Sequence, residues 1–324
     1  MQIIKGSDSC PDALKGASLA IGNFDGVHRG HQVVLEAAMA AGRAAGSQAG
    51  VLTFEPHPRD FFQPAKPVFR LTPEALKLQL FGAMGLDLAV TQTFDSALSG
   101  RTAVEFVAEI LVGDLGVSHV VTGSDFKFGK GRDGDAAVLR QLGDTHGFGV
   151  TIVEPQGEGE GTFSSSRIRE HLRIGETATA AEELGYWWRV RGTVVGGDRR
   201  GRLIGFPTAN IDVPRGFGLQ HGIYAVRIHT RDGRFDGASY LGTRPSFDDG
   251  APSIETFLFG FSGDLYGQEI ELEVIRFLRP DEKFESADAL VKQMTVDCEA
   301  SRDVLAGLDT QDPIARFPMA RALN

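Results

Sequence analysis

Cysteine is nearly absent from this chain. Its 324 residues include two, Cys10 and Cys298, far apart and without metal-ligand spacing. That argues against a disulfide-built scaffold or a thiolate metal site and reads as reduced thiols of a cytosolic, that is cytoplasmic, protein. No apolar run approaches the roughly 20 residues that cross a bilayer, so no membrane partner is expected. Lys5, Asp8, Asp12 and Lys15 interrupt the N-terminal stretch, which is therefore not expected to be a signal peptide. An excess of positive charge is missing as well: 33 Lys and Arg stand against 43 Asp and Glu, a formal net charge of -10. General nucleic-acid binding needs a basic face and is not expected. A nucleotide ligand is not excluded, because glycine turns and helix ends hold phosphate inside acidic proteins. Internal repeats and low-complexity tracts are also lacking. What is present is ordinary for a soluble globular protein: 42% hydrophobic residues, 23% charged, and a length sufficient for two domains with separate cores. Glycine is plentiful, at 41 residues, and clusters near the motifs below.

The most informative stretch is Gly22-Asn-Phe-Asp-Gly-Val-His-Arg-Gly-His31, directly after the apolar run 18–21. It predicts a strand end, a glycine-rich turn and a helix starting near Gly30. His28 and His31 are three residues apart, so one helical turn puts them on the same face. A helix N-terminus favours anions through its unpaired N–H groups and its dipole. Two imidazoles added there suit a polyphosphate. The alternative, a loop with two surface histidines, is disfavoured by the pattern His-x-Gly-His between strand and helix.

Strands are expected at residues 18–24, 50–54, 86–91, 119–122 and 150–154, with helices at 30–45, 73–84, 103–115 and 136–146. Thr72 before Pro73 reads as an N-cap with proline at the first helical position. Thr102 and Glu105 read as a capping box. Such alternation implies a parallel sheet with helices on both faces, binding ligands at the carboxyl ends of its strands. After about Gly185 the pattern changes. Runs at 223–229, 238–242, 254–259 and 269–277, bounded by Gly, Pro and Asp, predict an antiparallel sheet or small barrel, and an amphipathic helix covers 287–305. Residues 175–185 read as the linker region, with a short helix in its middle. The expected organisation is α/β over 1–184, all-β with a terminal helix over 185–310, and a tail over 311–324 without a matched motif.

Three further segments fall at expected strand ends or helix starts: Thr53-Phe-Glu-Pro-His-Pro58, Gly123-Ser-Asp-Phe-Lys-Phe-Gly129 and Ser164-Ser-Ser-Arg-Ile-Arg169. Each is weak alone. Their shared topological position is the stronger signal, since chain-distant loops then meet in one cleft. With the first motif they resemble the adenylyltransferase module of the bacterial bifunctional riboflavin kinase/FAD synthetases, among the His-x-Gly-His nucleotidyltransferases. Gly22 to His31 match that family's Gly-x-Phe-Asp-Gly-x-His-x-Gly-His at every fixed position. Ser164 to Arg169 match its Ser-Ser-Thr-x-Ile-Arg, with Ser166 keeping the hydroxyl of the threonine it replaces.

The resemblance implies a Rossmann-like nucleotidyltransferase domain. In it the FMN phosphate attacks the α-phosphate of ATP and expels pyrophosphate, with catalysis by positioning and charge neutralisation. It implies that His28 and His31 contact the ATP phosphates, in a nucleotide site shaped by Gly22, Phe24, Asp25 and Gly30. Ser164, Ser165 and Arg169 would meet the triphosphate at a second helix N-terminus. Arg169 is preferred to Arg167, which occupies the family's variable position. Asp125, with Phe126 and Phe128, is a candidate for lining the flavin or adenine pocket; core packing is the equal alternative for the two phenylalanines.

The second dense motif is Gly196-Gly-Asp-Arg-Arg-Gly-Arg-Leu-Ile-Gly-Phe-Pro-Thr-Ala-Asn210. Gly196, Gly197, Gly201 and Gly205 let backbone approach phosphate closely. Thr208 and Asn210 offer neutral oxygens suited to Mg²⁺ beside nucleotide phosphates. A glycine-rich hairpin with an incidental basic cluster is the alternative. Gly205-Phe206-Pro207-Thr208-Ala209-Asn210 resembles the signature of riboflavin kinases without a gap. Gly242-Thr-Arg-Pro-Ser-Phe247 resembles the family's Gly-Thr-x-Pro-Thr-Phe. Ile254-Glu-Thr-Phe257, followed by Gly263-Asp-Leu-Tyr-Gly267, resembles the strand carrying its catalytic glutamate. Glu255, flanked by apolar residues, reads as an interior-facing carboxylate: a general base for the ribityl 5′-hydroxyl, or a structural ion pair. Arg302 is a candidate for holding the flavin, although arginines on exposed helix faces are common. The resemblance covers about Ile3 to about Leu308. It departs at the junction, where the family commonly has Leu-Gly-Arg-Pro and this chain has Leu184-Gly-Tyr-Trp187.

The implied enzyme makes FMN from riboflavin and MgATP in its second domain and FAD from FMN and ATP in its first. Two other readings stay open. The opening motif alone permits transfer to phosphopantetheine, glycerol phosphate or nicotinamide mononucleotide, which would not explain residues 205–210. A flavin-binding regulator without catalysis would not need His28, His31, Thr208, Asn210 and Glu255 together.

Overall fold

The alternating apolar and helical runs of the first half build a parallel sheet. Its strands are β1 (Gln2–Lys5), β2 (Ser18–Ile21), β3 (Ala49–Glu55), β4 (Leu88–Thr93), β5 (His119–Gly123) and β6 (Gly149–Val153), in the order β1-β4-β3-β2-β5-β6. These come from a computed structural model that describes residues 1–158, 161–196, 205–214, 216–243 and 252–323. The chain forms two compact units, Met1–Ser165 and Ser166–Ala322. Strand β2 is buried at all four positions and β3 at its first six, so both faces of the sheet are covered.

The helices of the first unit are α1 (Arg29–Ala45), α2 (Pro58–Phe62), α3 (Glu74–Ala83), α4 (Ser96–Gly100), α5 (Ala103–Glu105) and α6 (Ala136–His146). Helix α1 packs against β2, β3 and β5. The capping box at Thr102 and Glu105 is formed in both directions, but the chain after α5 widens into π-type turns over Phe106–Asp114. Three expectations are corrected. Strand β1 was not expected; it is a four-residue edge strand in which only Ile4 is buried, too short to show a period. Strand β2 stops at Ile21 because the following loop turns through positive φ at Phe24, Gly26 and Val27. Thr72 is not a helix cap. Its hydroxyl accepts from the Gly26 N–H at 2.8 Å and donates to Asp25 at 3.3 Å, while α3 starts one residue later without a side-chain cap. A buried carboxylate competes better for that hydroxyl than a helix end does.

A two-stranded hairpin, β7 (Gly157–Glu158) and β8 (Gly161–Thr162), precedes α7 (Ser165–Arg173) and α8 (Thr177–Leu184). The second unit is a closed antiparallel barrel of β9 (Arg189–Val195), β10 (Ala209–Asp212), β11 (Gly222–Thr230), β12 (Gly233–Thr243), β13 (Pro252–Leu258) and β14 (Glu269–Arg279), in the order β10-β13-β12-β11-β14-β9. Register aligns Val194, Ile211, Ile254 and Leu241 in one buried row and Ile228, Leu272 and Val190 in another. Alternation then puts Arg227, Glu273 and Arg189 in a charged row on the opposite face. That row is buried too, with Arg189 on Glu273 at 2.6 Å.

The chain end covers it. Asp309, in α9 (Ala287–Thr310), accepts from Arg227 at 2.6 Å. Asp312 accepts from the Trp187 indole N–H at 3.1 Å, and Ile314 and Met319 are buried before and within α10 (Pro318–Leu323). The tail therefore packs on the barrel unit. It also gives a reason for the aromatic junction, since a buried indole N–H needs an acceptor.

Candidate active sites

In the parallel sheet the strand order reverses between β2 and β5, and ligands of such folds bind outside the carboxyl ends of the strands at that point. Two of the motif loops leave there, 22–28 and 124–129. The first ends in His28, the N-cap of α1, whose Nδ1 accepts from the His31 backbone N–H at 3.3 Å. In the neutral ring the proton therefore sits on Nε2, leaving a donor. The rings of His28 and His31 stack with centroids 3.6 Å apart, and Phe24 lies edge-on to His31 at 5.2 Å. Gly30 leaves room for this stack: a Cβ there would stand 3.2 Å from His28 Nδ1, a tight contact. A Cβ on Gly22 would likewise meet the Phe24 ring at 3.2 Å.

Asp25 is buried and accepts from the Leu71 and Thr72 N–H groups at 3.2 and 2.9 Å, so it braces the loop. The Ser165 hydroxyl donates to the Asp25 backbone carbonyl at 2.8 Å, which brings the serine segment, with partly buried Ser164 before it, to the same loop. Arg169 is buried on α7, in the second unit; Arg167 pairs with Glu183 at 2.6 Å. Asp125 is exposed in the loop after β5. Phe128 is buried against Phe106 at 5.6 Å with Phe126 stacked on it at 5.5 Å, so Phe128 packs the core.

Burial, the stacked His28 and then the positive field of Lys77 hold His31 well below its ordinary range, so the ring is neutral. His31 Nδ1 has no hydrogen-bond partner among the described residues. An orphaned ring nitrogen beside a helix N-terminus suits an oxyanion ligand.

Sequence reasoning missed the support beneath this loop. Lys77 of α3 is fully buried and donates to Glu55 at 2.7 Å, Thr53 at 3.0 Å and the Asn23 carbonyl at 3.2 Å. Arg70 forks onto Glu55 at 2.7 and 3.0 Å and lies 3.7 Å from Asp25. Burial pushes the Glu55 carboxyl up, but Arg70 and Lys77 outweigh it and the net direction is down. Burial lowers Lys77 despite Glu55. The segment Thr53–Pro58 was the only local hint; Lys77 carries no signal in the sequence.

In the barrel the site is built by register. Asn210 of β10 stands directly opposite Glu255 of β13, which stands opposite Tyr240 of β12. Directly opposed side chains share a face with Cβ atoms roughly 5 Å apart. The Asn210 amide donates to the Thr208 carbonyl at 3.3 Å, which sets the orientation of its oxygen. The expectation that Glu255 faces the interior is corrected: it alternates with buried Ile254, Thr256 and Leu258, and so lies on the outer face, partly buried. The period of two along a strand decides this. Phe206 is edge-on to Phe257 at 5.2 Å, Phe257 contacts Phe259 at 5.8 Å, and the Arg302 guanidinium lies over Phe259 at 4.2 Å. A line of contacts thus links Phe206 to Arg302 along the strand of Glu255. Gly205, at φ 87°, and Pro207 are exposed. Gly197 and the basic stretch 198–204 lie outside the described residues, as does 244–247. Among the described residues no group of three or more His, Cys, Asp or Glu could hold a metal ion.

Comparison with known proteins separates the same two halves. Residues 10–167 match the FAD synthetase family and residues 184–305 the riboflavin kinase family. The bifunctional riboflavin kinase/FMN adenylyltransferase of Escherichia coli K12 is 35% identical over 305 residues, covering 94% of this chain and 97% of that protein. The chain belongs to the bifunctional riboflavin kinase/FMN adenylyltransferase family. A second member, from Listeria monocytogenes, is 37% identical over 294 residues, 90% of this chain and 93% of its own. A crystal structure of a Streptococcus pneumoniae protein named as a macrolide-efflux protein superposes with a TM-score of 0.82 at 28% identity, over 93% of this chain and 99% of that one. Among the described residues, no helix is long and apolar enough to cross a membrane. For a riboflavin kinase/FMN adenylyltransferase, the histidine stack and the Asn210–Glu255 pair fall in the separately matched segments.

Proposed function

We propose that the two constellations carry the two activities of the family, with residues 1–184 as the adenylyltransferase domain and 185–310 as the kinase domain. The enzyme phosphorylates riboflavin to FMN with ATP, then adenylylates FMN to FAD with release of pyrophosphate. In the kinase half, Glu255 takes the proton of the ribityl 5′-hydroxyl as its oxygen attacks the γ-phosphate, and ADP leaves. Thr208 and Asn210 offer hard neutral oxygens beside one carboxylate. That donor set fits Mg²⁺, which keeps several waters and takes few protein ligands. When bound, the ion neutralises phosphate charge. Phe206, Phe257 and Arg302 supply flat surfaces for the flavin, and Gly205, Pro207 and Gly197 complete the nucleotide loop.

In the adenylyltransferase half, a phosphate oxygen of FMN attacks the α-phosphorus of ATP. The acceptor is already an anion, so no general base is required. His28 and His31, at the α1 N-terminus, and the N–H groups there receive the negative charge that develops on the phosphates. Ser164 and Ser165 serve the same triphosphate, and Asp125 lines the acceptor side.

The observation that carries this reading is the coincidence of each constellation with its own matched segment. The test is separable loss. With riboflavin and FMN supplied in separate assays, His28→Ala with His31→Ala should abolish FAD formation from FMN and leave FMN formation from riboflavin; Glu255→Ala should do the reverse, both read by chromatography of flavins. Loss of both activities from either folded variant would refute the two-site assignment.

A further inference from the structure

The loop between β2 and α1 is strained. Phe24 and Val27 are held at φ 50° and 37°, a region that costs side-chain-bearing residues on the order of 1 kcal/mol or more each. Strain of that kind persists only where the surroundings over-determine it. Here helix α3 grips the loop twice. Phe81 packs edge-on against Phe24 at 5.9 Å, and one turn earlier Lys77 donates to the Asn23 carbonyl at 3.2 Å. Glu55, which receives Lys77 at 2.7 Å, is itself locked by the Arg70 fork.

An ammonium with no exposed surface is an expensive way to fill space. Buried ion pairs are often replaced by apolar residues without loss of stability, so packing alone does not explain this one. What an apolar residue could not do is hold a carbonyl of the loop from below and place a positive charge under the histidines.

We propose that Lys77 is a positioning residue for adenylyl transfer: its buried ammonium holds the Asn23 carbonyl and so keeps the strained loop in the conformation that stacks His28 on His31. This rests on the assignment of those histidines to the triphosphate. The charged groups around Lys77 are Glu55, Arg70 and Asp25; those acting on His31 are His28 and Lys77. Lys77 thus lowers the basicity of His31 through space, and that supplies a readout which packing would not move.

The test uses the full chain in three variants: Lys77→Met, Lys77→Met with Glu55→Gln, and His28→Ala with His31→Ala. Adenylyl transfer from ATP to supplied FMN, riboflavin phosphorylation, and the NMR titration of His31 in the empty enzyme are measured. Lys77→Met should lose roughly tenfold or more in kcat/KM for adenylyl transfer, as for a misplaced reacting group. It should keep riboflavin phosphorylation and move the His31 midpoint upward. The double variant removes the stranded carboxylate, so it should fold where the single one fails while keeping the lost rate and the raised midpoint. A wild-type rate with an unshifted midpoint in the folded variants overturns the proposal. So does a first unit that fails to fold in both, which would assign Lys77 to folding alone. Undiminished FAD formation by the histidine variant sinks instead the assignment on which the proposal stands.

Discussion

The two units build their proposed phosphate sites by opposite means. In the α/β unit the reactive groups are neighbours in sequence. Residues 22–31 supply the turn, the helix N-terminus and both histidines, and other elements of the unit hold that loop in a strained shape. In the barrel, Asn210 and Glu255 are brought together by strand pairing. A short motif is therefore vulnerable to whatever sits beneath it. A register-built site is vulnerable to changes at its own positions.

The largest expected effect separates the two directly. Glu255→Gln keeps the shape of the β13 side chain but removes the proposed base, and should cut riboflavin phosphorylation by about 10²–10⁴-fold, the usual worth of a general base. Adenylylation of supplied FMN should stay unchanged, measured on the same preparation. Asp25→Ala comes next and attacks the loop from below. It strands the Leu71 and Thr72 N–H groups in a buried place and should cost the first unit about 3 kcal/mol. Denaturant should then abolish FAD formation at concentrations where FMN formation persists; coincident loss of both would break the comparison.

Trp187→Phe tests the clasp between junction and tail. Loss of the indole bond to Asp312 should cost the second unit about 1 kcal/mol, seen as a lower thermal midpoint with both rates intact at 25 °C. The smallest effect is one of pH. His31 is held below its ordinary 6.5 when folded, so the unfolded chain binds a proton that the folded one refuses. Its contribution is full above 6.5 and is lost as pH falls below that value. His31→Gln should flatten this part of the first unit's stability profile. For the same reason tripolyphosphate, by stabilising the imidazolium, should bind with proton uptake and more tightly on the acid side of neutrality, as calorimetry in buffers of different ionisation heat would show.

Much of this was legible beforehand where the signal is local. Helix α6 begins after its Asp135 cap and ends before Gly147 in the left-handed conformation, and its limits agree with those read from periodicity. The capping box at Thr102 formed because both partners lie within one turn. Thr72 misled because its competitor, Asp25, is 47 residues away. Glu255 misled in a different way: apolar neighbours suggested burial, but its facing depends on which set of alternate positions lines the barrel. The widened turns over Phe106–Asp114 were not read from the sequence, although Phe106, Val107, Val112 and Gly113 are weak helix formers.

The sequence by itself determined most of the order of elements and carried the motifs of both families, because turns, caps and short signatures are written within a few positions. Only the tertiary structure decided which charges are interior. A lysine on a helix reads as solvent-facing, and Lys77 is inside because Thr53, Glu55 and the Asn23 carbonyl, from other elements, supply in the interior the partners that water would otherwise provide. The same holds for Trp187 and its distant acceptor Asp312. Solvation of a buried polar group is a property of its neighbours in space, and those are fixed only when the chain has closed on itself.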